Sequence, residues 1–173
     1  MAFMLSTIRI GPAIAIGVVA GLVGYVGSGT AREQTTSWAP ISDDQMGWGT
    51  AACKTGDHDA FCFGMRCAGD GAEWFVFQDG GALPEGHARA IVVVDNRLHH
   101  SVPMQRLPTG PYAQMAGEFV ETRDAGFLEA MRRGQQLYVA FSNGSGTGLT
   151  LRGSSDELRR TLFLCGVRMR SER

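Results

Sequence analysis

Lysine is almost missing from this chain: Lys54 is the only one in 173 residues, and every other basic side chain is an arginine. Charge of one sign is missing too, since 16 basic and 17 acidic side chains leave a formal net charge of -1. No Lys/Arg run forms a track for a phosphate backbone and no acidic block forms a solvating tail, so no nucleic-acid partner is expected. Catalytic signatures are equally scarce. There is no G-x-S-x-G elbow and no Cys-x-x-Cys pair, and none of the four histidines stands in an i,i+4 or H-x-H arrangement. No internal repeat or low-complexity tract is present, which excludes a solenoid. No catalytic, cofactor or metal residue is assigned from these patterns.

Glycine, by contrast, is plentiful at 24, as suits a turn-rich β architecture. The first residues also carry a signal. Arg9 is the one charge in Met1–Gly11, and "IGPAIAIGVVAGLVGYVGSGTA" (10–31) has none. A weakly basic start, an apolar run and the small-residue end Gly29-Thr30-Ala31 form the layout of a secretory signal cleaved before Arg32. The alternative is an uncleaved anchor. Residues 10–26 are just long enough to contact and span a bilayer, with Gly17 and Gly21 as a close-packing face. Pro12 and the scattered glycines weigh toward cleavage. Both readings export the rest of the chain, to the periplasm or to the outer face of the inner membrane.

Export changes the meaning of the four cysteines. In an oxidising compartment they read as two disulfides, and Cys53-x8-Cys62-x4-Cys67 has no second knuckle to complete a zinc site. Cys62 and Cys67, five apart on one strand, face opposite sides and cannot bridge each other. Cys53 and Cys62 flank a turn near Asp57-His58-Asp59, a polar hairpin tip. The pairing expected is therefore Cys53–Cys62 and Cys67–Cys165.

After residues 32–46, read as a tether or irregular leading segment, the pattern becomes β. "FCFGMRC" (61–67) alternates, "EWFVFQ" (73–78) is aromatic and β-branched, and "ARAIVVVD" (88–95) reads as a central strand with "RLHHSV" (97–102) as its hairpin partner across Asp95-Asn96. "AGEFVET" (116–122), "QLYVAFSN" (136–143) and "LTLR" (149–152) are further strands. Residues 124–134 read as a helix capped by Asp124 and stopped by Gly134, with Phe127, Leu128 and Met131 on one face. A last helix starts at a capping box, Ser154 to Glu157, and lines Leu158, Leu162 and Cys165 on one side. The domain expected over 47–173 is an antiparallel β sandwich or barrel with two short helices and two disulfides. "GSGTG" (144–148) lies between strands and reads as a hairpin turn, not a phosphate cradle. Trp48 and Trp74 read as core residues.

The order of segments resembles the invasion-associated locus B family of exported bacterial proteins. The resemblance is carried by "ALPEGHARAIVVVDN" (82–96), by "FLEAMRRGQQLYVAFSNGSGTGLTLRGSSDEL" (127–158), and by Trp48 shortly before Cys53. It extends over roughly 48–165. Family members commonly carry a Cys-x-x-Gly-Gly-Cys-like step where residues 108–122, "PTGPYAQMAGEFVET", have no cysteine. The resemblance implies a periplasmic β-rich domain with envelope or host-interaction roles and no catalytic residues.

The expected function is therefore that of a non-enzymatic exported envelope protein that binds another protein or an envelope component. Two alternatives stand beside it. One is a membrane-tethered accessory subunit of a larger complex, packed through Gly17 and Gly21. The other is a small periplasmic hydrolase or metal enzyme built on His58, His99 or His100 with Asp57, Asp59 or Asp95. Intact mass of the native protein separates the first two: the cleaved reading predicts a chain starting at Arg32, and a mass that retains residues 1–31 overturns it.

Overall fold

The computed structural model describes residues 34–43, 46–56, 60–80, 83–108 and 112–168, all within one compact unit. The N-terminal run with Gly17 and Gly21, and the Asp57-His58-Asp59 tip, lie outside the described residues. In chain order the elements are β1 (Gln34–Thr35), β2 (Ala39–Asp43), β3 (Gly47–Thr55), β4 (Ala60–Ala68), β5 (Gly71–Asp79), β6 (His87–Val94), β7 (Leu98–Arg106), β8 (Ala113–Glu118), α1 (Glu121–Arg133), β9 (Gln136–Ala140), β10 (Gly146–Thr150) and α2 (Ser154–Leu164).

All ten strands belong to one sheet, ordered β1-β3-β4-β5-β8-β7-β6-β9-β10, with β2 as a further partner of β3. Every pairing is antiparallel. The two ends of this path meet at Trp38. Its backbone N–H donates to Arg152 O at 2.9 Å and its indole Nε1–H to Thr150 O at 3.0 Å. Residues 34–43, read from the sequence as a tether, are thus part of the sheet, and Trp38 is 4 % exposed. The segment looked irregular because its two strands are short and broken where the indole turns inward.

Strand alternation explains the core. Ala52, Phe63, Met65, Trp74, Val76, Val92, Val102, Met115 and Val139 share one face and are fully buried. Phe63 and Trp74 stack there with centroids 5.6 Å apart and planes at 10°, a contact of about 0.5–1.5 kcal/mol beyond burial. Both helices close this face, α1 with Phe127, Leu128 and Met131 and α2 with Leu158 and Leu162. The opposite face of β3, β4 and β5 holds a smaller cluster of Ala51, Cys62, Phe75 and Phe77. Arg66 covers it, 5.2 Å above the Phe75 ring and paired with Glu73 at 2.7 Å. Gly64 lets the β3 backbone and the Phe75 ring of β5 lie close against β4: a Cβ there would lie 2.2 Å from Thr50 O and 2.7 Å from the Phe75 ring.

Element boundaries differ from the sequence reading in instructive ways. The strand expected at 116–122 ends at Glu118, and α1 starts at Glu121, three residues early. Asp124 does not cap from outside; its carboxylate reaches back from within the first turn to the Val120 N–H at 3.0 Å. Gly134 ends the helix at φ -78°, so its role is not positive φ. A Cβ there would lie 2.7 Å from Val94 and 2.8 Å from Leu151, and the glycine is needed for close packing. At α2 the N-cap is Gly153 at φ 87°, not Ser154. Ser154 Oγ donates instead to Met131 O at 2.7 Å, satisfying a carbonyl that the last turn of α1 leaves without an intrahelical partner. The 144–148 run is split between a turn and the start of β10.

Both disulfides join as expected. Cys53 and Cys62 face each other across β3 and β4, with Cα atoms 4.1 Å apart, and Cys67–Cys165 ties the end of α2 to β4 across a separation of 98 residues. No cysteine among the described residues is free. These are the bonds of a domain that folds in an oxidising environment. Chain entropy gives the long bridge about 4–5 kcal/mol against about 2–3 for the short one. Cys67→Ala/Cys165→Ala should therefore lower the urea midpoint more than Cys53→Ala/Cys62→Ala does. Equal midpoints would show that α2 does not depend on its tether.

Candidate functional site

Trp48 is the first residue to depart from expectation in a way that bears on function. Trp74 is buried as expected, but Trp48 is 72 % exposed. It shares the inward-facing parity of Ala52, yet it pairs with Ser42 of β2 near the end of that ladder, where α2 faces it across open space. The indole lines one wall of a groove of about 530 Å³. Pro40 and Ile41 continue that wall, while Leu164, Arg160 and Glu157 of α2 form the other. Leu164 is 64 % exposed, and its neighbour Phe163 is 81 % exposed. Cys67 lies in the lining as well, so the Cys67–Cys165 bridge holds α2 at the distance from β4 that keeps the groove open.

The second feature is a buried charge. Asp124 is fully buried and accepts hydrogen bonds from the Trp74 indole at 3.2 Å, from Val120 N–H at 3.0 Å, and from Arg123 Nε and Nη2 at 2.6 and 2.7 Å. His100 Nε2 lies 2.8 Å from Asp124 Oδ1, and the imidazole stacks on Phe127 at 4.6 Å. Burial pushes this carboxyl up, but the Arg123, Val120, His100 and Trp74 hydrogen bonds outweigh it and hold it below the ordinary carboxylate range. The sequence reading missed this cluster. The signal was present: 124, 127, 128 and 131 make one helical stripe, and an aspartate on an apolar stripe requires a buried partner.

Of the enzyme alternative's residues, the described ones, His99, His100 and Asp95, are not brought together. Adjacent on β7, His99 and His100 point to opposite faces, His99 to solvent and His100 inward to Asp124. Asp95 forms the β6–β7 turn with Asn96, at φ 50° and 55°. Its carboxylate accepts the backbone N–H groups of Gln135 and Gln136 at 3.0 and 2.8 Å, which hold it below the ordinary range. His58, Asp57 and Asp59 lie outside the described residues, and His87 is exposed at the start of β6. Among the described residues no group of three or more His, Cys, Asp or Glu is placed to hold a metal ion, and no helix is long and apolar enough to cross a membrane.

Comparison with family models, curated proteins and solved structures finds no match.

The two lowered carboxylates give a pH dependence of definite sign. Their contribution to stability is complete above the unfolded carboxylate value of about 4 and is lost as pH falls through it toward the lower folded values. Thermal unfolding followed from neutral pH downward should steepen in its decline there, and the decline should be shallower in Asp124→Asn and Asp95→Asn. Asp124→Ala leaves the Trp74 and Val120 N–H groups without an acceptor, at about 1–3 kcal/mol each. An unchanged acid profile in both asparagine variants would show the carboxylates to be unpaired in solution.

Proposed function

We propose that this is an exported, non-enzymatic envelope protein that binds an apolar segment of another protein in the Trp48 groove. A periplasmic setting and cleavage of residues 1–31 belong to the same reading, as does kinship with the invasion-associated locus B family. The observation that carries it is the exposed Trp48 facing Leu164 across a groove with a cross-linked base. Tryptophan is the side chain most enriched among residues that dominate binding energy, and it does so when seated in a desolvated pocket. An isolated exposed tryptophan would be unremarkable, but one set beside Ile41, Pro40 and Leu164 makes a contiguous apolar surface. The rim carries one acidic and one basic side chain, Glu157 and Arg160, which is the polar border of a protein interface. A surface for anionic lipid would instead be basic throughout.

The commitments of His100 and Asp95 support a binding role over a hydrolytic one. His100 is committed to Asp124 and Phe127, and Asp95 to two backbone amides, so neither is poised over the groove.

The test is a photo-crosslinking residue placed at Leu164 in the intact protein, with exposed Arg89 as the control position. A single protein trapped at 164 and not at 89 is expected. With that partner purified, Trp48→Ala and Leu164→Glu should each weaken binding at least about tenfold, or about 1.4 kcal/mol. Both residues are exposed, so circular dichroism should be unchanged. Crosslinking only to lipid or to a second copy of this chain, or affinity unaltered by both substitutions, overturns the proposal.

A further inference from the structure

A second depression shares no residue with the Trp48 groove. It has a volume of about 610 Å³ and lies along β6, β9 and β10, reaching Thr35 of β1. Leu137 and Val139 are buried in the core, so alternation along β9 sends Tyr138 outward, where it is 49 % exposed. Tyr138 pairs with Val93 on one side and with Gly148 on the other.

Gly148 is the informative residue. Its φ is not left-handed, and a Cβ there would meet only Leu137 O at 3.9 Å and Tyr138 Cδ2 at 4.0 Å, both ordinary contacts. Neither backbone conformation nor packing requires glycine here, in contrast to Gly64 and Gly134. What the absent side chain does is leave one flank of the Tyr138 ring uncovered. Around that ring stand the amides of Gln136 and Asn96 and the carboxylate of Asp95, whose position is set by its bonds to Gln135 and Gln136 N–H.

We propose that this trough binds a neutral saccharide, with one C–H face of a sugar ring on Tyr138 and its hydroxyls on Gln136, Asn96 and Asp95. The lining chooses among ligand classes. Among its described lining residues there is one carboxylate and no Arg, Lys or His, so a phosphate or carboxylate ligand would meet Asp95 directly, while the nearby Arg97, which already acts on Asp95, stands outside the lining. A purely apolar ligand would bury the amides without hydrogen-bond partners, which disfavours it. A polyhydroxylated ring meets both demands, since it has an apolar face and a rim of hydroxyls that donate and accept.

The experiment is a titration of the ¹⁵N-labelled exported chain with maltotriose, cellotriose and tri-N-acetylchitotriose, each to about 10 mM, a range suited to millimolar affinity. At least one sugar should shift the amide resonances of Gly148, Tyr138 and Gln136 in a saturable manner. Gly148→Val places a side chain against the ring at a strand position that accepts it, so the fold should persist while the dissociation constant rises at least about tenfold. Tyr138→Ala should do the same. The proposal is overturned if none of the three sugars shifts those amides, if the shifts centre elsewhere, or if Gly148→Val binds as tightly as the parent chain.

Discussion

The carboxylate of Asp124 is the fixed point of this domain. A charge removed from water costs several kcal/mol unless partners replace the solvent. Here the partners come from three places: the Trp74 indole on β5, His100 on β7, and Val120 N–H with Arg123 at the start of α1. None of these is sufficient alone. Only when the sheet has its register and α1 has docked does the charge find all of its acceptor bonds filled. The same carboxylate thereby starts the helix, orients His100 over Phe127 and places the indole that stacks on Phe63. A half-formed version of this core would bury a charge in poor company, which favours all-or-none assembly.

The rest of the architecture answers the problem of ends. An open ten-stranded sheet has two edges, and exposed edges invite pairing with other chains. Trp38 joins the first and last edges through one backbone and one indole bond, and its ring meets Phe63 edge-on at 6.5 Å. The C-terminal helix, which packs through Leu158 and Leu162 and bonds α1 through Ser154, is also fastened to β4 by Cys67–Cys165.

Closure and fastening also determine what is left for binding. The Trp48 groove lies between one flank of α2 and the β2–β3 end of the sheet, and a covalent bond to β4 holds α2 beside it. The Tyr138 trough exists because β10 places a glycine where most residues would fit. One surface is apolar with a mixed-charge rim, the other an aromatic face among amides. They suit different partners, and no lining residue is common to the two.

Much of this was legible in the residues. Period-two alternation marked β4 and β9; aromatic and β-branched content marked β5; the apolar run marked β6; and the spacing of Phe127, Leu128 and Met131 marked α1. Both disulfide pairings followed from turn placement and parity. Trp38 escaped notice because a two-residue strand is too short to show a period. Ser154 was misread as a cap because a hydroxyl beside a helix start can serve either its own helix or another, and distance along the chain does not say which. Local pattern thus determined which residues face inward, since side-chain direction follows from backbone period. The tertiary structure alone decided that Trp48 would stay wet, that Asp124 would be sealed among Trp74, His100 and Arg123, and that Tyr138 would border an open trough. Those outcomes depend on which distant segments arrive as neighbours, and local period carries no record of that.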